Sequence, residues 1–199
     1  MSRSSEKRLI IGVSGASGMP YALRLLQSVP EEFKVYLIAS AGAQKICKSE
    51  TGVELNKASL KSVLTESQSA QIQFLANEDL YAPVASGSFN TDGMIVIPCS
   101  MKTLSGIANG YAQSLIERAA DVTLKEKRKL VLVVRETPFN TIHLNNMKHA
   151  AEAGAVILPA SPGFYANPKS LDDIIDFIVA RALDALQIPQ TLFHVWKEV

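Results

Sequence analysis

Leu9-Ile-Ile-Gly-Val-Ser-Gly-Ala-Ser-Gly18 carries an apolar strand straight into glycines at 12, 15 and 18, and a helical pattern opens just beyond it at Tyr21-Ala-Leu-Arg-Leu-Leu26. A strand that turns sharply into a helix on glycines aims backbone N–H groups and a positive helix end at one spot, which suits a phosphate. The G-x-x-G-x-x-G spacing differs from the dinucleotide fingerprint G-x-G-x-x-G, and no Gly-Lys-Ser/Thr of a triphosphate loop follows. Many α/β proteins place glycines here for packing alone. The turn therefore takes its meaning from what ends the other strands.

Outward from this turn, short apolar runs alternate with helical patterns. Strands are predicted over residues 8–14, 33–40, 71–75, 93–98, 130–134 and 155–158, with helices over 19–29, 42–51, 102–124, 139–153 and 170–186. Residues 52–70 read as a polar stretch, and Tyr81-Ala-Pro-Val-Ala-Ser-Gly-Ser88 as a loop broken by Pro and Gly. Ser170 caps the last helix with Asp172 and Asp173 in its first turn. Continuous apolar strands separated by helices indicate a parallel sheet covered on both faces. The fold class is α/β: a three-layer, doubly wound parallel sheet, Rossmann-like or flavodoxin-like.

At 199 residues the chain fits one compact domain with a full core. A net charge of +1 gives no reason to expect nucleic acid or an anionic membrane as partner. No apolar run approaches the ~20 residues of a membrane span, and the polar start, Met1-Ser-Arg-Ser-Ser-Glu-Lys-Arg8, is not a secretory signal. The two cysteines, Cys47 and Cys99, form no C-x-x-C, which fits a reduced, cytoplasmic protein.

Ligands of such folds bind outside the carboxyl ends of the strands. Those ends carry Gly15-Ala-Ser17, Ser40, Cys99-Ser-Met-Lys-Thr103, Arg135-Glu136 and residues 159–165. Hydroxyls and backbone donors dominate, a set matching one phosphate and a planar ring. Ser40 stands where a ribose-binding acid would be expected, which argues against NAD and for a mononucleotide such as FMN. Each element also has a plainer reading. Ser40 and Ser100 serve equally well as helix caps, and Cys99 as a small buried residue. His143, His149 and His194 lack ligand spacing, so surface or capping roles are favoured over metal. The run Lys125-Glu-Lys-Arg-Lys129 suits a solvated helix end. Arg135-Glu136 divides evenly between a functional pair and a structural ion pair.

Taken together, Gly15-Ala-Ser-Gly18 with Tyr21, Ser86-Gly-Ser88, Pro98-Cys-Ser100, Lys102-Thr-Leu-Ser-Gly106, Arg118-Ala-Ala-Asp121, Arg135-Glu-Thr-Pro138, Pro162-Gly-Phe-Tyr165 and the helix carrying Arg181 resemble the flavin prenyltransferases, the UbiX/PAD-type enzymes. The resemblance spans about residues 8–196, leaving residues 1–7 as a flexible tail and 8–199 as a single flavoprotein domain. It implies that dimethylallyl phosphate alkylates reduced FMN at N5 and then C6 without a metal, releasing phosphate. The prenylated FMN then serves a UbiD-type decarboxylase. By the same resemblance Gly15, Ala16, Ser17, Ser40, Ser100, Met101, Lys102, Thr103 and Arg135 bind FMN, and Tyr165 and Arg181 hold the prenyl phosphate. Glu136 protonates the departing phosphate, and Lys125, Ser17, Glu50, Arg118 and Trp196 complete the catalytic set. Lys127, Arg128 and Lys129 are then left as solvated. A homododecamer with sites completed across subunit interfaces is implied as well.

Two other readings compete. A cysteine-decarboxylase-type flavoprotein would place a histidine after the first helix, where Pro30-Glu-Glu-Phe33 has none. A non-catalytic flavin carrier would leave Lys125, Glu136 and Arg181 without a role.

Overall fold

The computed structural model describes residues 6–165 and 167–193. Its strands are β1 (Lys7–Val13), β2 (Phe33–Ala39), β3 (Ile72–Ala76), β4 (Gly93–Cys99), β5 (Leu130–Val134) and β6 (Ala155–Pro159). Its helices are α1 (Met19–Ser28), α2 (Ala41–Thr51), α3 (Lys57–Leu60), α4 (Glu66–Ala70), α5 (Met101–Ala108), α6 (Leu115–Lys125), α7 (Thr141–Glu152) and α8 (Leu171–Ala185). The strands form one parallel sheet in the order β3-β2-β1-β4-β5-β6. This doubly wound order puts the topological switch between β1 and β4, so a crevice opens beyond their carboxyl ends.

Alternation along β1 explains the two cores. Leu9, Ile11 and Val13 pack with Ala22, Leu25 and Leu26 of α1 and Ile178, Val179 and Leu183 of α8. Ile10 turns to the opposite face, where Leu104 of α5 and Leu115, Ile116 and Ala119 of α6 meet it. Burying each Leu or Ile contributes ~1.5–3 kcal/mol, and β4 and β5 are buried along their whole length. These are the continuous apolar runs from which the parallel sheet was predicted.

Three boundaries differ from the sequence reading. Lys7, assigned to the tail, starts β1: it pairs in register with Phe33 and its ammonium meets Glu32. Residues 52–70, read as merely polar, form α3 and α4, each held by its cap (Asn56; Thr65 with Gln68) and anchored by buried Leu55, Leu60 and Leu64. Four or five residues are too few to show a helical period, so only the caps announced them. The helix predicted over 102–124 is two, broken at Asn109-Gly110, where Gly110 takes φ +64°, and restarted by the Ser114/Glu117 capping box. Among the described residues no helix is long and apolar enough to cross a membrane.

Candidate functional site

The glycine turn does its work through backbone proximity. Gly15 and Gly42 lie so close that a Cβ on either would sit 3.5 Å from the other's Cα, which sets the turn against the first turn of α2. Gly18 takes φ +110° and caps α1 with no side chain of its own. The cap comes instead from α2: Glu50 Oε2 accepts the N–H groups of Gly18 (3.0 Å) and Met19 (2.9 Å), and the Ser17 hydroxyl also bonds this carboxylate. The positive end of α1, read from sequence as the anion site, is therefore filled by an internal carboxylate. Burial pushes the Glu50 carboxyl up, but Ser17, the two N–H groups and the Arg135 guanidinium outweigh it and hold the group below the usual carboxylate range.

Donors for an external anion remain at the neighbouring helix starts. Ser40 ends β2 and caps α2, its Oγ accepting from Ala43 N at 3.1 Å. Ser100 ends β4 and caps α5, accepting from Thr103 N at 3.3 Å and donating to Thr103 Oγ1 at 3.2 Å. The capping reading of both serines holds, and capping leaves the first-turn N–H groups of Ala41, Gly42, Met101 and Lys102 without intrahelical acceptors. Between these helix starts lies Ser14, fully buried, a residue the sequence reading passed over. Its hydroxyl donates to Pro98 O (2.9 Å) and accepts from Ser100 N (2.7 Å), locking the ends of β1 and β4 together at the switch point. A polar residue closing a central apolar strand was the available signal.

Arg135 and Glu136 follow β5, with Arg135 N bonded to Cys99 O at 3.2 Å. Their side chains are 3.9 Å apart, about 40% exposed (41% and 39%), and Glu136 Oε1 bonds instead to Thr137 N at 3.0 Å. So loose a pair adds little stability, which disfavours the structural ion-pair reading. Arg135 also acts on Tyr21, whose phenol is raised by burial against the pull of that guanidinium. Cys99 is buried and its thiol is pushed up to about 12 by desolvation, as an inert core residue requires.

The remaining predicted residues are engaged by partners of their own. Lys102 starts on α5 beside the crevice, but its ammonium leaves to pair with buried Glu117 at 2.6 Å. Glu117 also accepts Gln113 N and Ser114 N, and Gly106 makes room for it. Arg118 and Lys125 share one face of α6, seven residues apart. That helix starts at the carboxyl edge, where Leu115 N and Ile116 N bond Asn77, and runs back toward the amino edge. Its 11 residues span roughly 16 Å, so Lys125 lies far from the glycine turn of its own chain and pairs with Glu126. Tyr165 stacks edge-on against Phe177 of α8 (5.8 Å), and Arg181, one turn further along the same face, meets Asp184 at 3.2 Å. Arg128 is not solvated: its guanidinium donates to Gly87 O, Phe89 O and Asn90 Oδ1, whereas Lys127 and Lys129 are exposed as predicted. His143 joins the Asn140 capping box of α7. Trp196 and His194 lie outside the described residues.

The flavoprotein family profile matches residues 1–183. The flavin prenyltransferase UbiX of Pseudomonas aeruginosa is 47% identical over 201 residues, covering 98% of this chain and 96% of its own. The chain belongs to the UbiX flavin prenyltransferase family. Solved structures agree. AnUbiX (PadA1), in complex with FMN and dimethylallyl pyrophosphate, superposes with TM-score 0.87 at 38% identity, covering 98% of this chain and 99% of that one. A dodecameric FMN-dependent UbiX-like decarboxylase from Escherichia coli O157:H7 gives TM-score 0.86 at 41% identity, covering 96% and 99%. For this family the crevice chemistry fits FMN. The Gly15–Gly42 approach leaves a bare backbone wall, two helix starts offer N–H groups, and the carboxyl end of β2 carries Ser40 in place of an acid.

Proposed function

We propose that the protein is a flavin prenyltransferase that transfers the dimethylallyl group of dimethylallyl phosphate to N5 and C6 of reduced FMN and releases phosphate. FMN, when bound, supplies the nucleophilic ring. The observation that carries the reading is the switch-point crevice: serine-capped starts of α2 and α5, the glycine turn and Arg135 converge there in a member of this family. Gly15, Ala16, Ser17, Ser40, Ser100, Met101, Thr103 and Arg135 are assigned to FMN, with Lys102 contributing its backbone N–H while its side chain serves Glu117.

The chain's own groups then divide the work. Carbon–oxygen cleavage puts growing negative charge on the phosphate, and fixed cations stabilise such charge most in a site closed to water. Lys125, Arg118, Arg181 and Tyr165 are assigned to that charge, and Glu136 to delivering a proton to the departing phosphate oxygen. Because Lys125 on α6 stands apart from the crevice within one chain, its assignment requires a homo-oligomer, and a dodecamer like the E. coli neighbour is proposed. One copy's α6 face completes another copy's crevice. Exposed Tyr81, Tyr111, Ile142, Leu144, Phe164 and Leu171 support such assembly. The product passes to a UbiD-type decarboxylase. A reduced, cytoplasmic setting is proposed from two free, buried cysteines.

The test is direct. The protein is incubated anaerobically with reduced FMN and dimethylallyl phosphate, and the released flavin is weighed by mass spectrometry. Gain of one five-carbon unit is the expected result; unmodified FMN would refute the reading.

A further inference from the structure

The segment from Ala82 to Asn90 holds only one turn of 3₁₀ helix, at Pro83–Ala85, so its carbonyls must find donors outside regular structure. Ala82 O, Pro83 O and Ser86 O accept from N–H groups of the segment itself, and two arginines serve the carbonyls of Ala85, Gly87 and Phe89. Arg118 Nε donates to Ala85 O at 3.2 Å. Arg128 donates from Nη2 to Gly87 O at 2.8 Å and to Asn90 Oδ1 at 3.1 Å, and from Nη1 to Phe89 O at 2.8 Å. The planar fork spans two carbonyls two residues apart, a task a lysine ammonium cannot copy. The end of the segment is fixed by Phe89, which lies edge-on to Tyr36 and beneath the Arg8 guanidinium. At its centre the chain passes so close to the end of α6 that a Cβ on Gly87 would stand 2.6 Å from Lys125 Nζ and 2.9 Å from Glu126 Cδ.

We propose that Arg128 and Gly87 are positioning residues for Lys125. Arg128 holds the segment at a fixed height, and the bare Gly87 leaves the slot in which the Lys125–Glu126 pair lies. Together they set where the ammonium is presented. This deepens the proposed function, since it rests on Lys125 serving the prenyl phosphate, and it extends the site to the segment packed against the end of α6.

Gly87→Ala places a methyl where two flexible side-chain tips now lie, so the tips move and the backbone has no need to. With misplacement of about 1 Å costing up to ~10²-fold, KM for dimethylallyl phosphate is expected to rise about tenfold or more, with FMN content and thermal midpoint held. Arg128→Gln acts in the same direction, and Arg128→Lys does not rescue it. In a Lys125→Gln background Gly87→Ala adds no further loss, because both act through one group. A second readout needs no turnover. After reductive ¹³C-methylation of the assembled protein, the Lys125 resonance, assigned by its loss in Lys125→Gln, shifts in Gly87→Ala and in Arg128→Gln.

Additive losses in the double variant, rescue by Arg128→Lys, or an unmoved Lys125 resonance would each overturn the proposal. Wild-type kinetics for Lys125→Gln in a protein that transfers the prenyl group would overturn it too. A wild-type protein that transfers nothing would strike the proposed function instead, and the resonance would still decide the positioning claim.

Discussion

Glu50→Gln isolates what the internal carboxylate does for α1. Its Oε2 takes N–H bonds from Gly18 and Met19, and Ser17 adds a hydroxyl. Bonds to a charged acceptor contribute ~1.5–3 kcal/mol against ~0.5–1.5 for neutral ones, so losing the charge on two bonds costs about 2–3 kcal/mol before screening. The favourable placement at a helix start adds ~0.3–1 kcal/mol. Glu50 is exposed, and solvent screening cuts the sum to about 1–2 kcal/mol. For a chain of this length that lowers the midpoint by roughly 3–6 °C.

The pH dependence carries the sharper prediction. The folded carboxyl lies below its ordinary value, so its contribution is complete above the unfolded pKa of ~4.3 and disappears as pH falls through the lowered folded value. Chemical denaturation of wild type and Glu50→Gln at matched protein concentration, from pH 7 down to pH 3, should show a gap that is constant at first and then closes. Equal stability at pH 7 would show that the charge does nothing for α1. A gap undiminished at pH 3 would show that it arises from packing rather than ionisation.

Arg181→Ala should raise KM for dimethylallyl phosphate while FMN stays bound; unchanged kinetics would make this an ordinary helix arginine paired with Asp184. Glu136→Gln should keep FMN and the fold yet slow single-turnover transfer by at least ~10²-fold, and full-rate transfer would remove Glu136 from the mechanism. Glu117→Ala should destabilise by about 2–3 kcal/mol, since buried Glu117 accepts from Gln113 N, Ser114 N and Lys102 Nζ; a loss below ~0.5 kcal/mol in urea titration would mean that water replaces it.

What the sequence disclosed follows the range of each interaction. β4 and β5 were legible because a strand buried on both faces is apolar throughout, and Ser40 and Ser100 because a cap is a contact within three residues. Glu50 was named only as an active-site position implied by the family resemblance, since nothing local ties it to backbone groups 31 and 32 positions away. Lys125 and Arg118 were named through the family resemblance, yet their distance from the crevice depends on the direction of α6, which residue identities do not carry. Arg128 was misread for a deeper reason. Its partners at positions 87 and 89 are backbone carbonyls 41 and 39 residues away, and a carbonyl looks the same under every residue name. The legible half of that interaction was the irregular segment itself: a run of Pro, Gly and Ser with no ladder of its own must borrow donors. An arginine inside a charge run is the side chain best suited to lend two at once.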